Sequence, residues 1–329
     1  MMDTTGDGAT SPLFPRLVSF LRRCLFKVIS VGPIPHHVAF IMDGNRRYAN
    51  KLNSALPSGH KAGYSSLMSM LLYCYELGVK YVTVYAFSID NFKRQPDEVH
   101  YLMDLMLEKI HDLLRQESFV NQYGVRVYFI GNLKLLDDPV RVAAEKAMKA
   151  TADNNKVVLL VCVAYTSCDE IVHAVKQSCK AKRDEIQALN ETKVSNGESY
   201  GHGGDKNIAL KNKGLVIHDV HEPCGDVVEG SNEDTITTRM TTDKQRKLPI
   251  IKLVDVEKHM YMAVAPDPDI VIRSSGEMRL SNFLLWQTAY CPLYSPAALW
   301  PELGLWHLVW AVLNFQRSYR YLEKKKKKL

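Results

Sequence analysis

The sequence lacks the signature motifs of several large enzyme classes. It contains no GxxxxGKS/T loop, and no GxGxxG follows a predicted strand, so the common types of nucleotide binding are not indicated. A GxSxG elbow and an HExxH pair are also missing. Their absence argues against an α/β-hydrolase nucleophile and against a zinc peptidase.

Cysteine is present seven times, but no two cysteines form a CxxC pair. An odd and scattered set is typical of a protein from a reducing compartment. His218, His221 and Cys224 have the spacing of metal ligands. No second cluster matches them, so a zinc site is not expected there.

Long uninterrupted apolar runs are absent, so the sequence predicts no transmembrane helix. The N-terminus carries acidic residues and no basic stretch, unlike a secretory signal or transit peptide. The nearest candidate, Leu13–Ile29, is interrupted by arginine and lysine. It predicts an amphipathic helix that lies on a membrane surface or docks on the protein body or a partner.

Excess positive charge is confined to the C-terminal end. The formal net charge is +6, and Lys324–Lys328 supply five of these charges, so the rest of the chain is nearly neutral. A nucleic-acid-binding protein usually has a broad basic face, so no nucleic-acid partner is expected. The lysine run is either a solvated end or a contact to an anionic membrane surface.

Strand-like apolar runs alternate with longer amphipathic stretches, which predicts an α/β fold with a parallel sheet and helices on both faces. The predicted strands are Val38–Met42, Tyr81–Phe87, Val125–Ile130, Val157–Ala164 and Ile270–Ile272. The predicted helices lie near 60–77, 97–116, 139–152 and 168–182.

The domain plan follows from changes in composition. Residues 184–248 are rich in Gly, Asn, Ser and Thr and poor in aromatic residues, which predicts a disordered insertion. The remaining prediction is an N-terminal segment over 1–33, one catalytic domain over 34–183 and 249–323, and a lysine-rich tail over 324–329.

Polar and basic residues follow three of the predicted strands. In an open parallel sheet, ligands bind beyond the carboxyl ends of the strands, so these loops are expected to meet at one edge. Arginine forks and a single strand-end carboxylate suit diphosphate groups and one divalent cation. The candidates are Asp43, Asn45, Arg47, Ser88, Asn91, Arg94, Arg273, Arg279 and Ser281, with His60 before a helix that starts near Lys61.

One predicted helix has an apolar face that permits two interpretations. Val99, Met103, Met106, Ile110 and Leu113 recur at helical spacing. The face is either ordinary core or a flexible, thioether-rich wall for a long apolar ligand.

The segments HVAFIMDGNRRYA, GHKAG, YAFSIDNFKR and IRSSGEMRLSNFLLWQ resemble those of the cis-prenyltransferase family, in the family's order. This family includes undecaprenyl and dehydrodolichyl diphosphate synthases. The resemblance covers about 34–183 and 249–322 and is nearest to the eukaryotic branch, including plant enzymes that make dolichols or rubber.

The resemblance implies helices around a hydrophobic tunnel and stepwise addition of isopentenyl diphosphate to an allylic primer such as farnesyl diphosphate, each new double bond being cis. It implies Mg²⁺ bound by Asp43, and it places Asp43, Asn45 and Asn91 among the catalytic residues. The substrate-binding residues it implies are Gly44, Arg46, Arg47, Tyr48, His60, Ser88, Phe92, Arg94, Arg273, Arg279 and Ser281.

The sequence departs from the bacterial members of this family at three places. Leu56 replaces an arginine, Pro292 replaces a metal-binding glutamate, and the C-terminal R-x-G element is missing. The resemblance to heteromeric eukaryotic synthases implies a Nogo-B-receptor-like partner subunit that supplies this element. A product of many isoprene units would be insoluble in water, so peripheral contact with the cytosolic face of the endoplasmic reticulum membrane is expected, with the cytosol as the alternative.

Two rival functions are weighed against this one. The chain could be a non-catalytic scaffold subunit of a heteromeric cis-prenyltransferase, but Asp43 and the arginines of the site are retained. A phosphate-ester hydrolase would need a nucleophile or more carboxylates at the strand ends.

Overall fold

The computed structural model describes residues 13–115, 118–195 and 250–326. The chain forms two compact units. The larger unit comprises Met1–Ser178 and Lys252–Leu329, and it contains the sheet and all of the predicted site residues. The smaller unit comprises Cys179–Ile251.

A single parallel sheet organises the larger unit. Within the described ranges, the sheet has six strands in the order β3-β4-β2-β1-β5-β6, so β1 lies between β2 and β5. The strands are β1 His37–Ile41, β2 Tyr81–Ser88, β3 Val125–Ile130, β4 Val157–Tyr165, β5 Ile270–Arg273 and β6 Leu293–Tyr294. The five predicted strands are confirmed to within one residue at each end, whereas the two-residue strand β6 was too short to predict.

The helices lie between and after the strands. Proline in the first turn fixes where α3, α4 and α6 begin, because its φ angle suits that position and its missing N–H has no intrahelical partner there. The helices are α1 Leu13–Ile29, α2 Asn45–Lys51, α3 Leu56–Leu77, α4 Pro96–Leu114, α5 Phe119–Tyr123, α6 Asp138–Ala150, α7 Ser167–Ser195, α8 Leu253–Glu257 and α9 Leu305–Lys326.

Two predicted boundaries are wrong. Helix α3 begins at Leu56 rather than near Lys61, so His60 lies inside the helix. Helix α7 extends to Ser195, so the first residues of the predicted insertion are helical, and 196–248 lie outside the described residues.

Both faces of the sheet are buried. Val38 and Phe40 belong to one hydrophobic cluster, whereas Ala39 and Ile41 belong to the other, as the alternation of a strand requires. On the first face Phe40 meets the fully buried ring of Trp300 edge-on, with 5.7 Å between ring centroids. This two-sided burial explains why β1 reads as a continuous apolar run.

Helix α1 is amphipathic, as predicted. Phe26 and Ile29 are buried against the body, whereas Leu17, Phe20 and Leu21 are each more than half exposed. Among the helices in the described part of the chain, none has the length and apolarity needed to cross a bilayer.

His37 is fully buried at the start of the central strand. Its Nδ1 lies 2.6 Å from the Pro266 carbonyl oxygen and its Nε2 lies 2.7 Å from Thr83 Oγ1. The neutral ring satisfies both contacts, since Nδ1–H donates to the carbonyl and Nε2 accepts from the hydroxyl. Burial lowers the pKa of His37 to about 4.

The folded protein is therefore expected to lose stability as the pH falls below about 6.5. Between that value and the folded-state pKa near 4, the unfolded chain binds the His37 proton and the folded chain does not. The loss should reach about 2 kcal/mol at pH 5. Urea unfolding of wild type and His37→Gln across this range measures it. The variant should show a smaller pH slope, and equal slopes would contradict the assignment.

Candidate active site

The three predicted loops meet at one edge of the sheet. Strand β1 pairs in parallel with both β2 and β5, and Ile41 is in register with Tyr85 on one side and Arg273 on the other. The loops that follow these strands therefore leave the sheet side by side. The edge predicted from the sequence is the one that the structure assembles.

The main chain at Asp43 is fixed by several hydrogen bonds. Its carbonyl oxygen accepts from Ser274 Oγ at 2.6 Å, from Ser275 Oγ at 2.9 Å and from the Trp300 N–H at 2.9 Å. Gly44 then turns the chain with φ +105°, and a Cβ there would lie 2.6 Å from Ser275 Oγ. Glycine is required at this turn on both grounds.

The Asp43 carboxylate contacts two arginines. Its Oδ2 lies 2.9 Å from Arg273 Nη2, and its Oδ1 lies 3.3 Å from Arg47 Nη2. The Arg273 side chain is only 4% exposed, and its Nη1 also donates to Ser281 Oγ at 2.7 Å and to the Arg279 carbonyl. Arg273 is thus a fixed cation, while Arg47, half exposed, can turn toward a ligand.

A second carboxylate holds the other arginine pair. Glu98, in the first turn of α4, accepts from Arg94 Nη1 at 2.8 Å and lies 3.7 Å from Arg46 Nη1. His60 lies beside this group, and burial, followed by the positive charge of Arg94, lowers the pKa of its imidazole. His60 therefore has less tendency to carry charge than an ordinary histidine.

The remaining predicted residues lie around these two groups. Ser88 Oγ caps the 3₁₀ turn Ile89–Lys93 by accepting from the Asp90 N–H, and this turn carries Asn91 and Phe92. The Phe92 ring packs edge-on against Phe87 at 4.9 Å. Tyr48 follows the arginines on α2, and the exposed Arg279 side chain pairs with Glu277.

Two glycines let α2 approach α3 closely. A Cβ on Gly59 would lie 2.2 Å from the Asn45 carbonyl oxygen, and one on Gly63 would lie 2.4 Å from Asn45 Oδ1. Trp300 Nε1 donates to the Gly63 carbonyl at 2.8 Å and ties the same turn to the core. Asn45 Oδ1 is buried without a hydrogen-bond partner among the described atoms, so it is available to a donor from a ligand.

An apolar cavity of about 170 Å³ extends from this edge between α3, α4 and the sheet. Asn45 and His60 line it near the polar site. Met106 also lines it, whereas Met103 is buried in the core and does not. The further lining residues are Met42, Gly63, Tyr64, Leu67, Met68, Ala86, Phe87, Leu102, Leu105, Lys109, Ile110, Leu113, Phe129, Leu159, Val161 and Trp300.

The donor set near Asp43 suits Mg²⁺ better than a metal held by protein alone. Within the described ranges, no three His, Cys, Asp or Glu side chains come together. Mg²⁺ is commonly bound through one or two carboxylates, with water and substrate phosphates completing its shell, and Asp43 is partly exposed. Pro292 precedes β6 and offers only its carbonyl, which accepts from the Val271 N–H.

Sequence reasoning missed several residues that position the site. Ser274 and Ser275 stand in a quoted motif, but nothing in the sequence shows that both hydroxyls reach Asp43. The ion pair of Glu98 with Arg94 could have been predicted. Glu98 lies in the first turn of a predicted helix, four residues after Arg94, and this spacing favours ion pairs.

Asn282 is a further residue of this kind, and it anchors the loop that carries Ser281. Both residues have positive φ, 59° and 49°. The Asn282 carbonyl accepts from the Ser167 N–H at 2.8 Å, and its Oδ1 accepts from the Cys168 N–H at 3.1 Å. These bonds to the first turn of α7 offset the cost of a left-handed backbone.

Fold and site together define an α/β protein that places an arginine-rich edge against an apolar cavity. A profile of the undecaprenyl diphosphate synthase family matches residues 41–323. The chain belongs to this family, the cis-prenyltransferases, and is an enzyme of the dehydrodolichyl diphosphate synthase type.

The similarity to individual proteins extends over nearly the whole chain. Dehydrodolichyl diphosphate synthase 6 of Arabidopsis thaliana is 58% identical, covering 98% of this chain and 96% of the relative. A rubber cis-polyprenyltransferase of Hevea brasiliensis is 47% identical, covering 98% of each. The human dehydrodolichyl diphosphate synthase complex subunit is 35% identical, covering 93% of this chain and 74% of the relative.

A solved structure supports the fold independently. Lavandulyl diphosphate synthase from Lavandula x intermedia, in complex with dimethylallyl diphosphate, superposes with a TM-score of 0.60. The two proteins are 23% identical, and the match covers 86% of this chain and 95% of that one. The predicted fold class is confirmed.

Gly63→Ala is expected to disturb the site although alanine favours a helix more than glycine does. The new methyl group would overlap Asn45 Oδ1 and press on Trp300 Cδ1 at 3.1 Å. We expect a net loss of about 1–3 kcal/mol in the free energy of unfolding, together with reduced activity. Thermal and urea unfolding measure the first effect. Ser65→Ala, on the exposed face of the same helix, is the matched control and should change little.

Proposed function

We propose that this chain adds isopentenyl diphosphate repeatedly to an allylic diphosphate such as farnesyl diphosphate, and that its product is a long-chain cis-polyprenyl diphosphate for dolichol or a rubber-type polyisoprenoid. The observation that carries this proposal is the Asp43 carboxylate between Arg273 and Arg47, next to an apolar cavity. The arginines would bind the diphosphate group of such a substrate, and the cavity would bind its hydrocarbon chain.

The allylic diphosphate is assigned to the loop and helix after β1. Arg46 and Arg47 are both about half exposed, so their guanidinium groups can leave their carboxylate partners and contact phosphate oxygens bidentately. Gly44 removes the side chain that would block close approach at this turn. Tyr48 and Asn45 complete this part of the site, with His60 on the facing helix.

The isopentenyl diphosphate is assigned to the loop after β5. Arg273 is held in place by Asp43 and Ser281, so little conformational entropy remains to be lost when it binds phosphate. Arg279 is exposed and pairs with Glu277, so it can close over the second diphosphate. Ser88, Asn91, Phe92 and Arg94 follow β2, on the side of β1 away from β5, and are assigned to the wall beside the allylic diphosphate.

These residues would act mainly by electrostatic stabilisation. Negative charge builds on the allylic diphosphate as it leaves, and preorganised arginines stabilise that charge without rearranging during the reaction. Mg²⁺ held by Asp43 would neutralise part of the same charge. The cavity excludes water from the cationic allylic fragment, and burial of the growing chain contributes about 0.8 kcal/mol per CH₂.

We also propose that the chain works with a partner subunit related to the Nogo-B receptor, which supplies the R-x-G element to the site. The support is the human relative, whose name describes it as a subunit of a complex. Eukaryotic relatives of this chain thus include at least one that is named as a subunit of a complex. The partner would complete the site around the diphosphates.

Asp43→Asn should lower incorporation of radiolabelled isopentenyl diphosphate into long-chain product by at least about 100-fold, because it removes the carboxylate while keeping the side-chain size. The assay contains farnesyl diphosphate and Mg²⁺, and compares the chain alone with the chain plus a Nogo-B-receptor-like subunit. We expect long-chain product only from wild type with the partner.

Asp138→Asn is the matched control, since this carboxylate is 84% exposed on α6 and pairs with Arg141. It should retain wild-type activity. Robust product from the lone wild-type chain would refute the partner proposal alone. No product from any mixture in which the partner binds would refute the catalytic proposal and favour a scaffold subunit.

We propose peripheral attachment to the cytosolic face of the endoplasmic reticulum membrane through α1. The exposed apolar residues Leu17, Phe20 and Leu21 lie on a helix that also carries arginine and lysine, which suits an anionic lipid surface. The last lysines of the chain, proposed as a second contact, lie partly outside the described residues.

Leu21→Glu should weaken sedimentation of the protein with vesicles containing anionic lipid, because it places a carboxylate on the apolar face of α1. Val142→Glu makes the same change at a residue equally exposed on α6 and should leave sedimentation unchanged. Equal sedimentation of both variants and wild type would refute attachment through α1.

A further inference from the structure

The two helices that flank the cavity make their main contacts elsewhere. Helix α3 packs most extensively on α2 and on the 3₁₀ segment Trp300–Glu302, whereas α4 packs most extensively on α6 and α5. Side chains bridge the gap between α3 and α4. Tyr101 Oη donates to the Pro57 carbonyl at 3.4 Å, and Lys109 Nζ lies 5.0 Å from the centre of the Tyr64 ring.

Lys109 is a charged residue in the otherwise mainly apolar wall of this cavity. Away from Asn45 and His60 at the polar end, the described lining is apolar except for Tyr64 and Lys109, which face each other from α3 and α4. The Lys109 side chain is 23% exposed. Its methylene groups can therefore line the cavity while its ammonium reaches toward the surface.

The charge of Lys109 is held by three groups. Its Nζ lies 2.6 Å from Glu108 Oε1, 3.1 Å from Asp112 Oδ2 and 5.0 Å from the centre of the Tyr64 ring. The hydrogen bond with Glu108 raises the pKa of the Lys109 ammonium. A hydrocarbon chain that covered this ammonium would remove it from water, which is unfavourable for a charged group.

Lys109 lies far enough from the polar end of the site to affect only the later rounds of isoprene addition. It lies eleven residues after Glu98 on α4, which corresponds to about 16 Å along the helix axis. Glu98 marks the polar end of the site through its contacts with Arg94 and Arg46. The proposed function places the first condensation at this polar end, so only a chain that has grown inward would reach the Lys109 ammonium.

We propose that Lys109, held against Tyr64, is a polar stop in the cavity wall that limits the length of the polyprenyl product. This inference rests on the proposed function. Lys109 and Tyr64 are specificity-determining residues here, because they contact the chain that has already formed and leave the reacting diphosphates to other groups. Removing the ammonium, or the ring that holds it, should let longer chains pass between α3 and α4.

The test compares product lengths from wild type, Lys109→Met and Tyr64→Ala in the presence of the partner subunit. Products labelled with radioactive isopentenyl diphosphate are dephosphorylated and separated by reversed-phase chromatography. Methionine keeps the length of the lysine side chain and removes its charge. Both variants should shift the distribution to longer products, while the initial rate of the first addition stays within twofold of wild type.

Two conservative variants serve as matched controls. Lys109→Arg retains the cation, and Tyr64→Phe retains the ring. Both should give the wild-type distribution.

Wild-type product lengths from both Lys109→Met and Tyr64→Ala, at normal initial rates, would overturn the inference and leave the proposed function intact. If Tyr64→Ala fails to fold, the result from Lys109→Met decides. Absence of incorporation by wild type would overturn the proposed function, and the polar stop with it.

Discussion

The ion pair between Asp43 and Arg273 is the constraint on which the rest of the site depends. It joins the ends of two neighbouring strands, because Asp43 follows β1 and Arg273 ends β5. Arg273 is almost fully buried, so loss of its carboxylate partner would leave a buried charge unpaired, at a cost of about 3–5 kcal/mol. The hydroxyls of Ser274 and Ser275 hold the Asp43 main chain in the same place. Strand pairing thus fixes a carboxylate and a cation before any ligand arrives.

Two carboxylates also hold the arginines of the site in place when no substrate is bound. Asp43 holds Arg47 and Arg273, and Glu98 holds Arg46 and Arg94. Each carboxylate partly neutralises two guanidinium groups that would otherwise repel each other at close range. Under the proposed function, the positive excess that remains would attract a diphosphate, which offers more charge and more acceptor oxygens than a carboxylate does. The more exposed arginines can exchange partners at a small cost, since exposed ion pairs contribute about 0–1 kcal/mol.

The apolar half of the site follows from the same architecture. The sheet is buried on both faces, and α3 and α4 lie on one face without packing tightly on each other, which leaves the cavity between them. Glycines in α3 bring Asn45 to the polar end of that cavity. A polar edge and an apolar cavity are therefore continuous, as an amphipathic substrate with a charged head and a long hydrocarbon chain requires.

The sequence by itself determined the alternation of strands and helices, the parallel sheet, the edge at which the loops meet, and the family. Local patterns carry this information, because apolar periodicity and strand-end residues are short-range properties. Only the tertiary structure decided which groups touch. The contacts of Asp43 with Arg273, of Trp300 with Gly63 and of Asn282 with α7 join residues more than 100 positions apart. No spacing rule reports such pairs, since they depend on strand order and on how helices pack over the sheet.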